Sequence, residues 1–354
     1  MTNGTSKIRV LIVDDSAIVR RMLSSALESE PDIEVVGTAP DPFVARNKII
    51  ELSPDVMTLD LEMPRMDGLT FLRKLMNARP IPVIVISSIA GPASHAAFEA
   101  LQIGAVEVLA KPNGPYSVGS LGATLAYKIR AAARARLKVP GALAPVQHET
   151  IPHPRPANGA AKGIIAIGAS TGGTEAIAQV LMHLPAEIPP ILITQHMPPV
   201  FTGYFAERLN KMCPFEVKEA ADGDEVVSGR ALIAPGDFHM LLTRRGNTLR
   251  IRTDHGPQVC YQRPAVDVMF ASIADVVGKE AVAALLTGMG ADGARGLLKM
   301  REAGASTIAQ DEESCVVFGM PREAIRLGGA EQVLPLSRIA GAILARAEQR
   351  TVRF

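Results

Sequence analysis

Residues 163–173 read Gly-Ile-Ile-Ala-Ile-Gly-Ala-Ser-Thr-Gly-Gly, an apolar run ending in a small-residue turn that carries two hydroxyls, Ser170 and Thr171. A short run that is apolar at every position fits a parallel strand buried on both faces. Glycines directly behind it, followed by a helix-period segment, predict a strand–turn–helix unit. The same unit recurs along the chain. Val/Ile-rich runs at 8–13, 35–37, 56–60, 83–87 and 106–110 alternate with helical patterns at 18–28, 42–52, 68–77 and 95–103. Farther on, strands are expected at 163–168, 190–195, 230–234, 281–288 and 306–309, with helices at 173–183, 201–212, 264–277 and 293–303. A stretch over 240–252, turning at Arg245-Gly246-Asn247, predicts a β-hairpin. Alternation of this kind predicts an α/β chain with two doubly wound parallel-sheet domains.

The chain has 354 residues, which at ~150 residues per domain suggests two or three domains. Thirty-seven Lys and Arg against 36 Asp and Glu exclude a strongly basic nucleic-acid binder. No stretch approaches the ~18 uninterrupted apolar residues of a spanning helix. The opening MTNGTSKIRVLIVDDS lacks the apolar core of a secretory leader. Cys213, Cys260 and Cys315 are odd in number and form no CxxC pair, which predicts neither a disulfide framework nor a zinc site. With 4% aromatic residues and no Trp, a base-stacking RNA surface is not expected either. Together these features predict a soluble, cytoplasmic chain.

Charge divides the chain. Residues 1–125 hold 11 basic and 14 acidic side chains, 126–160 hold 6 and 1, and 161–354 hold 20 and 21. The middle segment also contains Pro140, Pro145, Pro152, Pro154 and Pro156. Proline at that density disfavours helix and sheet and favours extended solvated backbone. The expected organisation is therefore a first domain over 1–125, a basic Pro-rich linker over 126–160 entered by a helix near 127–138, and a second domain over 161–354. The basic run fits a solvated helix end better than a docking surface for an acidic partner.

In an open α/β sheet, ligands bind beyond the carboxyl ends of the strands. In the first domain those ends carry Asp14 and Asp15, then Asp60, Ser87 and Lys111. Three converging carboxylates repel one another unless a hard, oxygen-preferring cation such as Mg²⁺ sits among them. A hydroxyl and an ammonium beside them suit a phosphoryl group, with Asp60 as its acceptor.

The motifs LIVDDS, LDLEMPRMDGL, SS at 87–88 and AKP at 110–112 make residues 7–125 closely resemble the receiver domain of bacterial response regulators. The resemblance implies a flavodoxin-like fold, Asp60 as phosphoacceptor, and Mg²⁺ held by Asp14, Asp15, Asp60 and the backbone carbonyl of Glu62. It also implies that Ser87 contacts the phosphoryl group and Lys111 pairs with it. One departure is Val108, which stands where many receivers carry an aromatic residue.

In the second domain, residues 168–173 fit the G-x-S-x-G elbow that lifts a serine above a sheet, with a helix N-terminus behind it. They also fit a plain glycine-rich turn capped by Ser170, or a phosphate cradle. The G-x-G-x-x-G spacing and the Walker lysine are both missing, which weakens the nucleotide option. A nucleophilic serine needs a base and an orienting acid. Of seven histidines, His196 alone directly follows an expected central strand, while His239 and His255 are rivals in loops. Asp292 follows the buried run that starts at 281, and Asp267 sits near a helix start, where a first-turn role is expected.

With GASTGG, QHM, APG at 234–236, RPAVDV, TGMGADGARGL and CVVFGMP in order, the last 190 or so residues resemble the chemotaxis protein-glutamate methylesterases. The resemblance implies a Rossmann-like domain with Ser170 as nucleophile, His196 as base and Asp292 as its orienting acid. Thr171 and the Met289 backbone N–H would support the oxyanion, with no cofactor for the ester chemistry, and Cys315 would be a buried structural thiol. It further implies methylated chemoreceptors as substrate, glutamine deamidation as a second activity, a chemotaxis histidine kinase as phosphodonor, and contact with the membrane through receptors alone. Nucleic acid is not expected as a partner. A non-enzymatic response regulator with a ligand- or protein-binding output domain is the competing reading.

Overall fold

A computed structural model describes residues 6–87, 92–111, 118–137 and 163–349. Most of the expected linker lies outside these residues, as do Ser88 and Pro112. The described chain divides into two compact units, with the division falling within 138–162.

The first unit runs β1 (Ile8–Val13), α1 (Ala17–Glu28), β2 (Ile33–Ala39), α2 (Pro42–Leu52), β3 (Val56–Asp60), α3 (Gly68–Ala78), β4 (Val83–Ser87), α4 (Pro92–Ile103), β5 (Glu107–Ala110) and α5 (Val118–Ala132). Its five strands are parallel in the order β2-β1-β3-β4-β5, the flavodoxin-like winding. The central β3 and β4 are buried along their whole length, which is why they read as unbroken apolar runs.

Caps set the helix starts. Ser16 Oγ accepts from Val19 N at 3.4 Å, Asp41 Oδ1 from Phe43 and Val44 N, and Asp67 Oδ1 from Thr70 N at 2.8 Å. Gly68, first residue of α3, lies so near the chain leaving β3 that a Cβ there would stand 2.6 Å from Leu61 Cα. That close approach holds the segment after Asp60 against the helix.

The first-domain boundary expected at 125 is corrected: it falls inside α5. Leu125, Ala126, Ile129 and Ala132 are buried in one core with Leu23 and Leu27 of α1, so the helix belongs to the unit through Ala132. Two of the basic residues assigned to the linker are likewise engaged within the unit. Lys128 Nζ meets Glu107 Oε2 at 2.7 Å with both side chains buried, and Arg130 binds Glu30 and Asp32.

The second unit runs β6 (Ile164–Ala169), α6 (Gly173–Leu181), β7 (Ile191–Gln195), α7 (Phe201–Met212), β8 (Glu216–Glu219), β9 (Arg230–Ile233), β10 (His239–Arg245), β11 (Thr248–Asp254), α8 (Val266–Val276), β12 (Ala281–Leu285), α9 (Ala294–Glu302), β13 (Ser306–Gln310), α10 (Met320–Arg326), β14 (Gln332–Leu334) and α11 (Leu336–Gln349). Seven parallel strands order as β14-β13-β12-β6-β7-β9-β8, while β10 and β11 form the expected hairpin. The edge strands β8 and β14 were not expected. They have four and three residues with charged or half-exposed positions, too short for a periodicity signal.

From β6 the chain moves to β7 on one side and later returns to β12 on the other. The sheet therefore reverses its winding at β6, and the crevice beyond the ends of β12, β6 and β7 is where such folds bind ligands. Helices α8 and α9 cover this point, with Phe270, Ile273 and Leu297 buried against Ala283 and Leu285. Among the described residues, no helix is long and apolar enough to cross a membrane.

The α5 assignment has an energetic consequence. Lys128→Met leaves the Glu107 carboxylate buried without its ammonium, and we expect it to cost about 3 kcal/mol of unfolding free energy. Adding Glu107→Leu should restore most of that loss. Urea denaturation of the two variants measures both effects.

Candidate active site

Ser170, His196 and Asp292 come from three neighbouring strand ends. Ala169 and Gln195, the last residues of β6 and β7, are register partners, so the residue after each stands on the same rim. His196 N donates to Ala169 O at 3.2 Å, and Ser170 N donates to Thr287 O at 3.0 Å, beyond the end of β12. Gln195 ties the two turns together, its Nε2 donating to Ser170 O at 2.9 Å and to His196 O at 3.2 Å. Sequence reasoning singled out the neighbours of Gln195 but not Gln195. Its place at a strand end was visible, yet the two carbonyls it reaches meet only through the sheet pairing. Gly173 leaves room for this side chain, because a Cβ at that position would collide with Gln195 Oε1.

The His196 ring is held from one side. Its Nε2 lies 2.7 Å from Asp292 Oδ2, inside the range of a charge-assisted hydrogen bond. With Nε2–H donated to the carboxylate, the ring's lone pair is on Nδ1, the reverse of the chymotrypsin arrangement. Ser170 Oγ and His196 Nδ1 are both buried and have no hydrogen-bond partner in the protein. Their residues are only 2% and 3% exposed. A buried hydroxyl and a buried ring nitrogen left unpaired on the same rim carry a cost that a structural turn has no reason to bear.

Asp292 is fixed by more than the histidine. Oδ2 also accepts from Val266 N at 2.7 Å, while Oδ1 accepts from Asp267 N at 3.0 Å and Gly293 N at 2.9 Å. Two of these donors open α8, so the carboxylate caps that helix from the neighbouring connection. Asp267 answers from α8, its Oδ1 accepting from Gly296 N of α9 at 2.6 Å. Its first-turn position is as expected, but its bond reaches the other helix. Burial, and then the charge of Asp292, push the Asp267 carboxyl up to about 6.

The rival bases are occupied. His239 is buried with Nε2 3.0 Å from Pro257 O and Nδ1 accepting from Ala265 N at 3.2 Å, so both nitrogens serve the backbone. His255 is exposed and pairs with Asp237 at 3.0 Å. Thr171 is buried, its carbonyl accepting from Thr287 Oγ1 at 3.0 Å. The 288–290 segment holding Met289 packs against the serine turn, since a Cβ on Gly288 would lie 2.7 Å from Ser170 Cβ. Cys315 is buried.

In the first unit the structure gathers Asp14, Asp15 and Asp60, with carboxylate oxygens all within 4.8 Å of one another. Lys111 Nζ lies 2.7 Å from Asp60 Oδ2 and 3.5 Å from Asp14 Oδ2. Burial raises the Asp14 and Asp60 carboxyls, and their neighbours' negative charge adds to it. Burial opposes the charge on Lys111, but the hydrogen bond and charge of Asp60 outweigh it and raise that pKa. One ammonium against three acids leaves negative charge in excess. Asp14 Oδ2 is buried and without a hydrogen bond, and an all-oxygen donor set suits a hard divalent cation. Glu62 N donates to Asp60 Oδ1 at 3.2 Å, and Ser87 is buried at the end of β4.

Two outcomes follow from this geometry. Raising a carboxyl's pKa on folding favours its neutral form, so the stability Asp267 contributes is complete below its ordinary value near 4 and lost as pH rises through about 6. Asp267→Asn keeps the acceptor for Gly296 and should match the parent at pH 4 but melt at a higher temperature at pH 8, as followed by circular dichroism. Gln195→Leu removes the bridge between the two turns. Labelling of Ser170 by a fluorophosphonate should slow about tenfold, the equivalent of ~1.4 kcal/mol, with the melting curve still cooperative.

The chain is similar to known proteins along nearly its whole length. Residues 165–343 match the family model described as CheB methylesterase, and residues 10–118 match the response regulator receiver domain. A protein of Syntrophus aciditrophicus named protein-glutamate methylesterase/protein-glutamine glutaminase 2 is 53% identical over 339 residues, covering 96% of this chain and 99% of its own. One of Chromohalobacter salexigens, named protein-glutamate methylesterase/protein-glutamine glutaminase, is 54% identical and covers 97% of each chain. The crystal structure of the Thermotoga maritima CheB methylesterase catalytic domain superposes with a TM-score of 0.51 at 40% identity, covering 52% of this chain and 98% of that one. With a receiver unit ahead of a serine-centred unit, and matches that span nearly its whole length, the chain belongs to the CheB methylesterase family.

Proposed function

We propose that this chain is a phosphorylation-regulated hydrolase that converts glutamate methyl esters on chemoreceptors to glutamate and methanol, and that it deamidates receptor glutamines at the same site. The observation that carries this is the pair of buried, unpartnered atoms Ser170 Oγ and His196 Nδ1, with Asp292 holding the far side of the ring at 2.7 Å. The names of the relatives support the substrate class and both activities.

In this mechanism Ser170 Oγ attacks the ester carbonyl carbon while its proton passes to His196 Nδ1. The resulting imidazolium is stabilised by the Asp292 carboxylate at Nε2–H. Four donors point at the two oxygens of Asp292 and fix the carboxylate in that place. The tetrahedral oxyanion is assigned to the Met289 N–H, with Thr171 beside it. Collapse breaks the bond to methoxide, which takes the proton from Nδ1 and leaves as methanol. Water then adds to the acyl-serine, giving a proton to Nδ1, and the second collapse returns that proton to Ser170 Oγ and frees the glutamate carboxyl. With a glutamine side chain the first leaving group is ammonia. These steps need no metal or organic cofactor.

For the receiver unit we assign Asp60 as the acceptor of a phosphoryl group from a chemotaxis histidine kinase. Asp14, Asp15, Asp60 and the Glu62 carbonyl would hold Mg²⁺, which offsets the charge of the carboxylates and of the arriving phosphoryl oxygens. Ser87 and Lys111 donate to the phosphoryl group. Unphosphorylated, the receiver restrains the esterase, and phosphorylation at Asp60 relieves that restraint. A bias of ~1.4 kcal/mol toward the active state is enough for a tenfold gain. The enzyme acts in the cytoplasm and meets the membrane through the receptors it demethylates.

Methanol release from methylated receptor membranes tests both halves. Ser170→Ala should reduce the rate by about 10⁴-fold or more, and unchanged turnover would refute the nucleophile assignment. A small phosphodonor should accelerate the parent chain and leave Asp60→Ala unaffected. Equal stimulation of the two would overturn control through Asp60.

A further inference from the structure

Three connections surround the catalytic rim: 196–200 after β7, 234–238 after β9, and 255–265 between β11 and α8. They are locked to one another. A Cβ on Gly236 would stand 2.6 Å from Pro199 Cα. Asp237 N donates to Arg263 O at 3.2 Å, and the Arg263 guanidinium returns two bonds to Asp237 Oδ1 at 2.9 and 2.6 Å. Arg263 Nη1 also binds Gly256 O at 2.7 Å, and Phe238 meets the His255 ring edge-on at 5.3 Å. The third connection reaches the chemistry itself, because Cys260 Sγ lies within 4.8 Å of carboxylate oxygens of Asp267 and Asp292.

This rim concentrates backbone strain. Val200, Asp237, Cys260 and Tyr261 have φ of 74°, 67°, 51° and 63°, four of the six non-glycine residues with positive φ among the described residues. Cys260 and Tyr261 form the tip of a two-residue turn closed by Val259 N to Gln262 O at 3.1 Å and Gln262 N to Val259 O at 2.9 Å. Positive φ at both tip residues is the turn that Asn-Gly fills at low cost, so a thiol and a phenol ring there are held against preference. The same three connections expose large apolar side chains. Tyr261 is 83% exposed, Val200 45% and Phe238 40%. The Asp237 carboxylate between them is paired with Arg263 and lies 3.0 Å from His255 Nε2.

We propose that Tyr261, Phe238 and Val200 are the docking rim for the substrate protein, gripping apolar side chains that flank the modified glutamate. The proposal rests on the esterase reading above and deepens it. Ser170 is buried, so an ester carried on a protein side chain reaches it only when the bearing segment lies flat on the surrounding loops. Those loops are bonded to one another, reach the Asp292 carboxylate through Cys260, and expose Tyr261, Phe238 and Val200. An amphipathic aromatic side chain at their most exposed point suits a binding hot spot.

The test compares two readouts in the full-length chain: methanol release from methylated receptor membranes as a function of receptor concentration, and fluorophosphonate labelling of Ser170, which needs no protein segment. For Tyr261→Gly, which accepts positive φ without the ring, the ratio of the receptor kcat/KM to the labelling rate should fall about tenfold, mostly through KM. Tyr261→Phe should restore that ratio. An unchanged ratio in Tyr261→Gly would overturn the docking rim, as would equal loss of both readouts, which is what a purely structural turn predicts. Failure of the parent chain to label or to release methanol would instead sink the esterase reading, so the two failures are distinguishable.

Discussion

The carboxylate of Asp292 is the constraint on which the catalytic unit depends. It accepts from His196 Nε2 and from the backbone of Val266, Asp267 and Gly293, and so joins the β7 turn, the start of α8 and the start of α9. Removing a carboxylate with that many donors would leave several buried N–H groups unpaired. The group proposed to orient the base is therefore also a helix cap, so in that proposal catalytic geometry and fold stability rest on one side chain.

The reciprocal bond from Asp267 to Gly296 completes the arrangement but places a second acid near the first. Its carboxyl is pushed up to about 6 by burial and by Asp292. The strain at Val200, Asp237, Cys260 and Tyr261 belongs to the same economy. Backbone conformations of this kind persist where the surroundings over-determine them, and here the surroundings are the Asp237–Arg263 pair and the packed proline turn at 198–199. The receiver unit meets the opposite problem. Its acids crowd without enough donors, and a divalent cation is the natural remedy.

Much of both units was legible in the sequence because parallel strands buried on two faces leave apolar runs that periodicity cannot hide. Strands β1, β3, β4, β6, β7 and β12 and the helices that follow them were found this way, and the strand ends then named Asp14, Asp60, Lys111, Ser170, His196 and Asp292. What escaped was set by long-range contact. The edge strands β8 and β14, of four and three residues, are too short to signal themselves. The basic stretch near 127–132 looked like a solvated tether because its charge was visible, while Glu107, Glu30 and Asp32, which absorb that charge, lie 20 to 100 positions earlier.

By itself the sequence determined the fold class and the list of reactive side chains, since both follow from local pattern: apolar runs, glycine turns and the residues placed directly after them. Tertiary structure alone decided what the nitrogens of each histidine bind. His239 opens β10 and His196 follows β7, yet one has its two nitrogens tied to Pro257 and Ala265 and the other keeps a buried Nδ1 unpaired. The pairing of Nε2 rather than Nδ1 with Asp292, the bridge through Gln195 and the strained loops around them are likewise absent from any local pattern. Each depends on groups that only the parallel pairing of the strands brings within a hydrogen bond of one another.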